Sequence, residues 1–174
     1  MTSKATYLSN SQLKIAGFVE LLPREALKPG DIKRQIWASN DVFELLKGLK
    51  NPDAGFPALP TDTLIGRFWR GWIVGVSRKE NSKAEFKWLK WHDDVWVLSF
   101  RKPPPGWRIF GRFARKNVFV AMVYYEREVL SDMVVYNEKA AEIPALWDAK
   151  FPGVAPYTAS TCEDYLGSMV NEDV

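Results

Sequence analysis

The segments VWVLSF (residues 95–100), WRIFGRF (107–113) and VFVAMVYY (118–125) are runs of β-branched and aromatic residues, which are typical of strands. A proline-rich turn over residues 101–106 separates the first two, because proline has no N–H to donate to a strand ladder. A hairpin turn over residues 114–117 separates the second from the third. Strands joined in this way predict an antiparallel meander.

Helical patterns lie on both sides of this predicted sheet. Asn40 is a good N-cap for a helix over residues 41–50, in which apolar residues recur at helical spacing. Residues 136–150 return to that spacing, with Pro144 expected to break the helix or to begin a second one. Together these patterns predict an α+β protein in which helices pack on an antiparallel sheet.

Other segments have weaker patterns. Residues 12–22 fit one helical face, and Asp31 is expected to cap a short helix over residues 32–38. Residues 56–63 hold two prolines and predict a loop. Residues 64–76 mix tryptophans, arginines and three glycines, and this mixture favours a strand pair over an irregular helix.

The net charge of +3 conceals an uneven distribution of charged side chains. Residues 64–125 carry 13 basic and four acidic side chains, whereas residues 126–174 carry three basic and ten acidic ones. A basic middle that also holds tryptophans suggests an anionic partner, with nucleic acid the first candidate. Alternatively, the acidic end folds back and neutralises the basic middle, and the sequence leaves both interpretations open.

The chain lacks the sequence motifs of several kinds of catalytic, metal and cofactor site. His92 is the only histidine and Cys162 the only cysteine, so we expect no metal site. No nucleophile elbow, phosphate loop or dinucleotide fingerprint is present, so we expect no cofactor. No apolar run approaches the roughly 20 residues of a membrane span, and no secretory signal is visible. We therefore expect a cytoplasmic protein without a membrane partner.

The basic stretch over residues 101–116 is the clearest functional signal. It holds six positive charges and no negative one. On a strand, Arg108 and Arg112 share one face with Phe110 between them, an arrangement that can contact phosphate and stack on bases. We therefore predict that this stretch binds nucleic acid, through Arg101, Lys102, Arg112, Arg115 and Lys116. The alternative is an exposed strand face whose arginines pair with the acidic end.

Polar residues also close the last predicted strand. Tyr125, Glu126 and Arg127 are expected to lie near the strand that carries Arg108, because the two strands pair antiparallel. An arginine can stabilise charge on a phosphate, and a tyrosine or glutamate can move a proton, so such a set can act on RNA without a metal. Tyrosines on strands are also common packing residues.

The three strand segments, followed by YNEKAAEI at residues 136–143, resemble the RelE/HigB-like toxins, including phage-derived relatives. The resemblance covers residues 40–147. It implies a RelE-like fold and a metal-independent endoribonuclease that cuts messenger RNA, often on the ribosome. It also implies an antitoxin partner. The matching positions are Arg108 for the sheet arginine, Arg127 for the basic residue after the last strand and Tyr136 for the tyrosine before the helix.

These considerations divide the chain into three parts and define a candidate site. Residues 1–40 are an N-terminal extension, residues 41–150 the RelE/HigB-like core and residues 151–174 an acidic C-terminal extension. The candidate catalytic residues are Arg108, Arg127, Tyr136, Tyr125 and Glu126.

Two alternatives to this function remain. One is a non-catalytic phage or host-interaction protein that binds nucleic acid, or inhibits a partner protein, through a basic and tryptophan-rich face. Clustering of Trp69, Trp72, Trp88 and Trp91 on an exposed surface would favour it, because interface hot spots are rich in tryptophan and arginine. The other is a structural domain whose tryptophans all lie in the core.

Overall fold

Strands and helices alternate along most of the chain. The computed structural model describes residues 7–22, 34–49, 58–71, 74–77, 84–101, 104, 106–167 and 170–172. Within them the strands are β1 (Val19–Glu20), β2 (Gln35–Ala38), β3 (Val74–Ser77), β4 (Phe86–Leu89), β5 (Val95–Phe100), β6 (Trp107–Arg115), β7 (Val118–Glu126) and β8 (Val170–Glu172). The helices are α1 (Asn10–Ile15), α2 (Asn40–Leu46), α3 (Ala58–Trp69), α4 (Met133–Lys150) and α5 (Cys162–Leu166), with a 3-10 turn at Lys90–His92.

The described strands form one sheet in the order β1-β2-β7-β6-β5-β4-β3-β8. Its four middle strands, β4 to β7, follow one another in the chain and pair antiparallel. On either side of them the pairing becomes parallel, because β2 runs parallel to β7 and β3 runs parallel to both β4 and β8. The α+β class is therefore confirmed, but the sheet as a whole is mixed and not a simple antiparallel meander.

Helices cover both faces of the sheet. Alternation along β6 sends Ile109 and Phe113 to one face and Phe110 and Ala114 to the other. The first face packs against α2, α3 and α5, and the second against α1 and α4. The middle strands are therefore buried on both sides, as expected of a sheet between two helical layers.

The predicted helix over residues 41–50 forms, but with different ends. It spans Asn40–Leu46, and its N-cap is Ser39 rather than Asn40. The Ser39 Oγ accepts the backbone N–H of Val42 at 3.4 Å and donates to the carbonyl oxygen of Met122 at 2.8 Å. The second bond ties the start of α2 to strand β7, which local sequence does not reveal.

The prediction of a loop over residues 56–63 and a strand pair over residues 64–76 is wrong. Helix α3 begins at Ala58 and ends at Trp69, and β3 follows at Val74–Ser77. Leu64, Ile65, Phe68 and Trp69 are buried together in one core, so their spacing is that of a helical stripe. The tryptophans and glycines obscured this pattern.

The predicted helix over residues 32–38 is also wrong. Residues Gln35–Ala38 form strand β2, in which Ile36 and Trp37 are buried on opposite faces of the sheet. Asp31, its expected cap, lies outside the described residues. The helical pattern over residues 12–22 is interrupted too, because α1 ends at Ile15 and β1 begins at Val19.

The helix expected over residues 136–150 starts earlier and continues through Pro144. Helix α4 spans Met133–Lys150 with Asp132 as its N-cap. No helix among the described residues is long and apolar enough to cross a membrane. The N- and C-terminal parts of the chain also join the sheet, through β1, β2 and β8.

Candidate functional site

Three arginines converge at the end of the sheet where β5 ends, β6 begins and β7 ends. They are Arg101, Arg108 and Arg127, and we call this place the arginine end. Arg108 lies opposite Tyr125 in the β6–β7 register, so their side chains are neighbours on one face. The backbone N–H of Arg127 donates to the carbonyl oxygen of Gly106 at 2.8 Å and closes the end of the β6–β7 pair.

Arg108 is buried, with only 6% of its surface exposed. Its Nη1 donates to the carbonyl oxygens of Phe100 at 3.2 Å and Trp107 at 2.8 Å. Burial and, to a smaller extent, the nearby charges of Arg101 and Arg127 lower the pKa of Arg108 to about 10, and Tyr136 acts in the opposite direction. Both hydrogen-bond acceptors are neutral carbonyl groups. Among the described residues that act on the pKa of Arg108, none is a carboxylate.

Arg101 and Arg127 lie at the surface above this buried guanidinium. Arg101 Nη2 donates to the carbonyl oxygen of Ala84 at 3.3 Å, and Arg127 Nη1 donates to that of Leu130 at 2.9 Å. Backbone carbonyls help to orient both side chains. The arginine end is therefore a region of positive potential that reaches solvent.

Two tyrosines, one from the sheet and one from helix α4, meet at the same sheet face. The ring of Phe110 lies 5.7 Å from that of Tyr125 and 5.4 Å from that of Tyr136. Tyr125 comes from β7 and Tyr136 from the first turn of α4, and both residues are partly exposed. Four of the five predicted catalytic residues, Arg108, Tyr125, Arg127 and Tyr136, are thus neighbours.

The predicted site missed Lys139 and Glu142 on α4. Tyr125 Oη donates to Glu142 Oε2 at 3.2 Å, and Lys139 Nζ donates to Glu142 Oε1 at 2.7 Å. Lys139 Nζ also lies 5.5 Å from the centre of the Tyr125 ring. Burial and the Glu142 carboxylate raise the pKa of Tyr125, while Lys139 opposes them. The spacing of Lys139 and Glu142, three residues apart on a helix, was the signal that could have found them.

Glu126 is not part of this group. In the β6–β7 register it lies opposite Trp107, which packs on the other face of the sheet. Because successive strand residues alternate between faces, Glu126 is directed away from Arg108 and Tyr125. The structure therefore separates it from the other candidate catalytic residues.

Arg112 lies on the same strand and face as Arg108, roughly 13 Å further along. It is 6% exposed, donates through Nη2 to the carbonyl oxygen of Asp93, and stands 5.9 Å from the centre of the Trp147 ring. Burial lowers the pKa of Arg112, and Asp93, Asp94 and Asp148 act in the opposite direction. Its contacts are those of a buried packing residue.

The rest of the predicted nucleic-acid-binding stretch divides between different places. Arg115 donates to the carbonyl oxygen of Leu8, to Asn10 and, at 3.2 Å, to Gln35 Oε1, so it binds the N-terminal part of the chain. Lys116 is exposed in the β6–β7 turn, at the end of the sheet opposite the arginine end. Lys102 lies outside the described residues.

The tryptophans do not gather on one exposed face. Trp69 and Trp88 are buried in the core, whereas Trp91 is 52% exposed within the 3-10 turn. Trp72 lies outside the described residues. Two of the four tryptophans that could have formed an exposed patch are therefore core residues.

A cavity of about 340 Å³ lies elsewhere, between α1, the start of α2 and the end of α4. Phe18, Asn40 and Lys150 are among its lining residues, and none of the predicted site residues lines it. Among the described residues, no group of three His, Cys, Asp or Glu side chains is placed to hold a metal ion. Comparison with family models, with curated proteins and with solved structures gave no match to this chain.

Proposed function

We propose that this protein binds the phosphate backbone of RNA at the arginine end and cleaves it without a metal, as RelE/HigB-like toxins do. The observation that supports the proposal is the convergence of Arg101, Arg108 and Arg127, with Arg108 buried against neutral carbonyl groups. A desolvated positive charge beside two others favours an anion strongly, and phosphate matches the planar fork of guanidinium groups.

The surface arginines and the buried arginine have different parts in this proposal. Arg101 and Arg127 are at the surface and contact the phosphate directly. Arg108 lies beneath them and raises the positive potential, because a charge with few water neighbours is poorly screened. Charge that accumulates on the phosphate oxygens during cleavage is thereby stabilised more than the charge of the bound substrate.

The tyrosines supply the proton transfers. In the proposed reaction the ribose 2′-oxygen bonds to phosphorus and the bond from phosphorus to the 5′-oxygen breaks. The 2′-hydroxyl proton must leave to a base, and the departing 5′-oxygen must gain a proton. Tyr125 and Tyr136 lie near Arg108 on one sheet face, so they are the hydroxyl groups of the candidate site that would take part in these transfers.

The likeness to RelE/HigB-like toxins in fold remains part of the proposal. In its support, four antiparallel strands in chain order are followed by a long helix that carries Tyr136. The ribosome, an antitoxin partner and a cytoplasmic location are expectations that accompany this likeness. They follow from the resemblance alone.

The test measures cleavage and binding of a labelled single-stranded RNA by the purified protein in EDTA, with and without ribosomes. Arg127→Ala should weaken RNA binding by about 10- to 100-fold, since a charge-assisted bond contributes about 1.5–3 kcal/mol. It should also reduce the slope of log affinity against log salt concentration by about one, because one phosphate contact is lost. Lys150→Ala removes an exposed charge at the far end of α4 and should change neither.

The outcomes separate the possible functions. Equal RNA affinity of Arg127→Ala and the unsubstituted protein would show that phosphate is not held at the arginine end. Salt-sensitive binding without cleavage, on or off the ribosome, would overturn the nuclease and favour the non-catalytic binding protein. That alternative would then depend on the arginine end and on Trp91, because Trp69 and Trp88 are buried.

A further inference from the structure

Tyr125 and Glu142 form a hydrogen-bonded pair next to the arginine end. Packing of the tyrosine does not require the negative charge of the glutamate. Tyr125 Oη donates to Glu142 Oε2 at 3.2 Å, and the two residues come from β7 and α4. The Glu142 side chain is 47% exposed, so its carboxylate is open to solvent. A buried packing tyrosine needs only an acceptor, which water could supply here.

The position of Tyr125 relates this pair to the chemistry of the site. Tyr125 lies directly across the strand pair from Arg108, with side chains on the same face. Its ring therefore stands beside the buried Arg108 side chain, and its hydroxyl meets the Glu142 carboxylate. A group in that position can take a proton from a ligand on one side and pass its own to the carboxylate on the other.

The charged groups around the pair are consistent with this role. Lys139 contacts both members, donating to Glu142 at 2.7 Å and lying 5.5 Å from the Tyr125 ring. Glu138, on the same helix, acts on Lys139. Burial keeps the Tyr125 hydroxyl protonated, since it raises the pKa of that group.

We infer that Glu142 receives the proton of the ribose 2′-hydroxyl through Tyr125, and so acts as the positioning residue for the base step of RNA cleavage. The Tyr125 oxygen accepts the 2′-hydroxyl proton while its own proton moves to Glu142. The 2′-oxygen bonds to phosphorus, and the 5′-oxygen leaves with a proton from water or Tyr136. The inference rests on the proposed function and deepens it.

The test compares Glu142→Gln with Glu138→Gln, which changes an exposed glutamate on the same helix. Glutamine still accepts the Tyr125 hydrogen bond but cannot take up a proton at neutral pH. We expect Glu142→Gln to lower kcat by about 100-fold or more, with KM unchanged within twofold, and to remove the acidic limb of the pH–rate profile. Tyr125→Phe should lower kcat similarly, and Glu138→Gln should have no effect.

A second readout does not depend on cleavage. If the pair is coupled, Glu142→Gln should bring the pKa of Tyr125 back towards its ordinary value in an NMR titration of the tyrosine rings. An unchanged Tyr125 titration would overturn the inference, whether or not the protein cleaves RNA. Cleavage by Glu142→Gln at the normal rate and with the normal pH profile would overturn it while leaving the proposed function intact. Absence of cleavage by the unsubstituted protein would overturn both.

Discussion

A single glycine determines how closely β6 and β7 can pair beside the arginine end. Gly111 lies at a register shift in the β6–β7 ladder, directly against the neighbouring strand. A Cβ added there would overlap the carbonyl oxygen of Val120 and lie 2.9 Å from Cζ of Phe119. Neither the backbone oxygen nor a fully buried ring can move away cheaply in a close-packed core.

Gly111→Ala should therefore lower the free energy of unfolding by about 3 kcal/mol, the upper part of the range for overpacked cores. Gly66→Ala is the matched control. It lies inside α3, where the nearest atom to an added Cβ is Arg70 Nη1 at 3.3 Å, the end of a flexible side chain. Because alanine favours helix, this control should gain up to about 1 kcal/mol. Urea unfolding measures both, and similar midpoints for the two variants would contradict this account.

Two arginines of β6 show that residue type alone does not determine the role of a side chain. Arg108 and Arg112 share a strand face and are both 6% exposed, yet they differ in their neighbours. Arg108 stands beside two other arginines, whereas Arg112 is surrounded by aspartates and Trp147. The first therefore contributes to an anion site and the second to packing.

At the scale of elements, α4 carries much of the site, and its start depends on one cap. Asp132 Oδ1 accepts the backbone N–H of Val135 at 2.9 Å, one turn before Tyr136. Asp132→Ala should cost about 1 kcal/mol, which lowers the Tm by roughly 2–4 °C for a chain of this size. Asp132→Asn should retain nearly all the stability, because asparagine caps equally well. Differential scanning calorimetry measures the Tm of both variants. An equal decrease in Tm for the alanine and asparagine variants would show that the charge of Asp132 matters and its capping hydrogen bond does not.

Helix α4 also contains Pro144, which does not break it. Proline has no N–H to donate to the carbonyl of Ala140 and costs about 3 kcal/mol relative to alanine inside a helix. Pro144→Ala should therefore raise the free energy of unfolding by about 3 kcal/mol in urea titrations. Pro152→Ala, in the loop after the helix, should not, and a lower midpoint for Pro144→Ala would mean that packing requires the proline.

At the scale of the whole molecule, Tyr165 joins the C-terminal part of the chain to the sheet. It is fully buried, with its ring 4.9 Å from that of Trp96, 5.1 Å from Phe113 and 5.3 Å from Trp88. Its Oη accepts the backbone N–H of Ala159 at 3.0 Å. Burial raises the pKa of Tyr165 well above its ordinary value.

That shift predicts how stability depends on alkaline pH. The unfolded chain releases the tyrosine proton near pH 10, and the folded chain holds it to higher pH. The folded state then binds more protons, so the contribution is fully present below pH 10 and is lost as the pH rises further. Tyr165→Phe should lose about 1–3 kcal/mol at pH 7, because the Ala159 N–H loses its acceptor.

The variant should also lose less stability than the unsubstituted protein between pH 9 and pH 11. Urea midpoints are measured for both proteins at pH 9 and at pH 11. The other titrating groups contribute equally to both proteins, so the difference between them reports Tyr165. Parallel pH profiles for the two proteins would contradict the assignment to Tyr165.

Part of the candidate site could be predicted from sequence because it depends on strand pairing. Consecutive antiparallel strands bring the start of one beside the end of the next, which places Arg108 beside Tyr125 and Arg127. Glu142 could not be predicted in the same way. It contacts Tyr125 only because α4 packs on the sheet face that carries Tyr125, and the packing of the whole helix sets its position there.

Local pattern was sufficient for the elements whose residues favour one structure strongly. Strands β5 to β7 and helices α2 and α4 belong to this group, since propensity and capping act between near neighbours in the chain. Tertiary structure alone decided that residues 35–38 form a strand, that residues 58–69 form a helix, and that Arg108 and Arg112 are buried. The reason is physical: apolar and aromatic segments suit a helix or a strand equally, and the choice is made by the distant residues against which they pack.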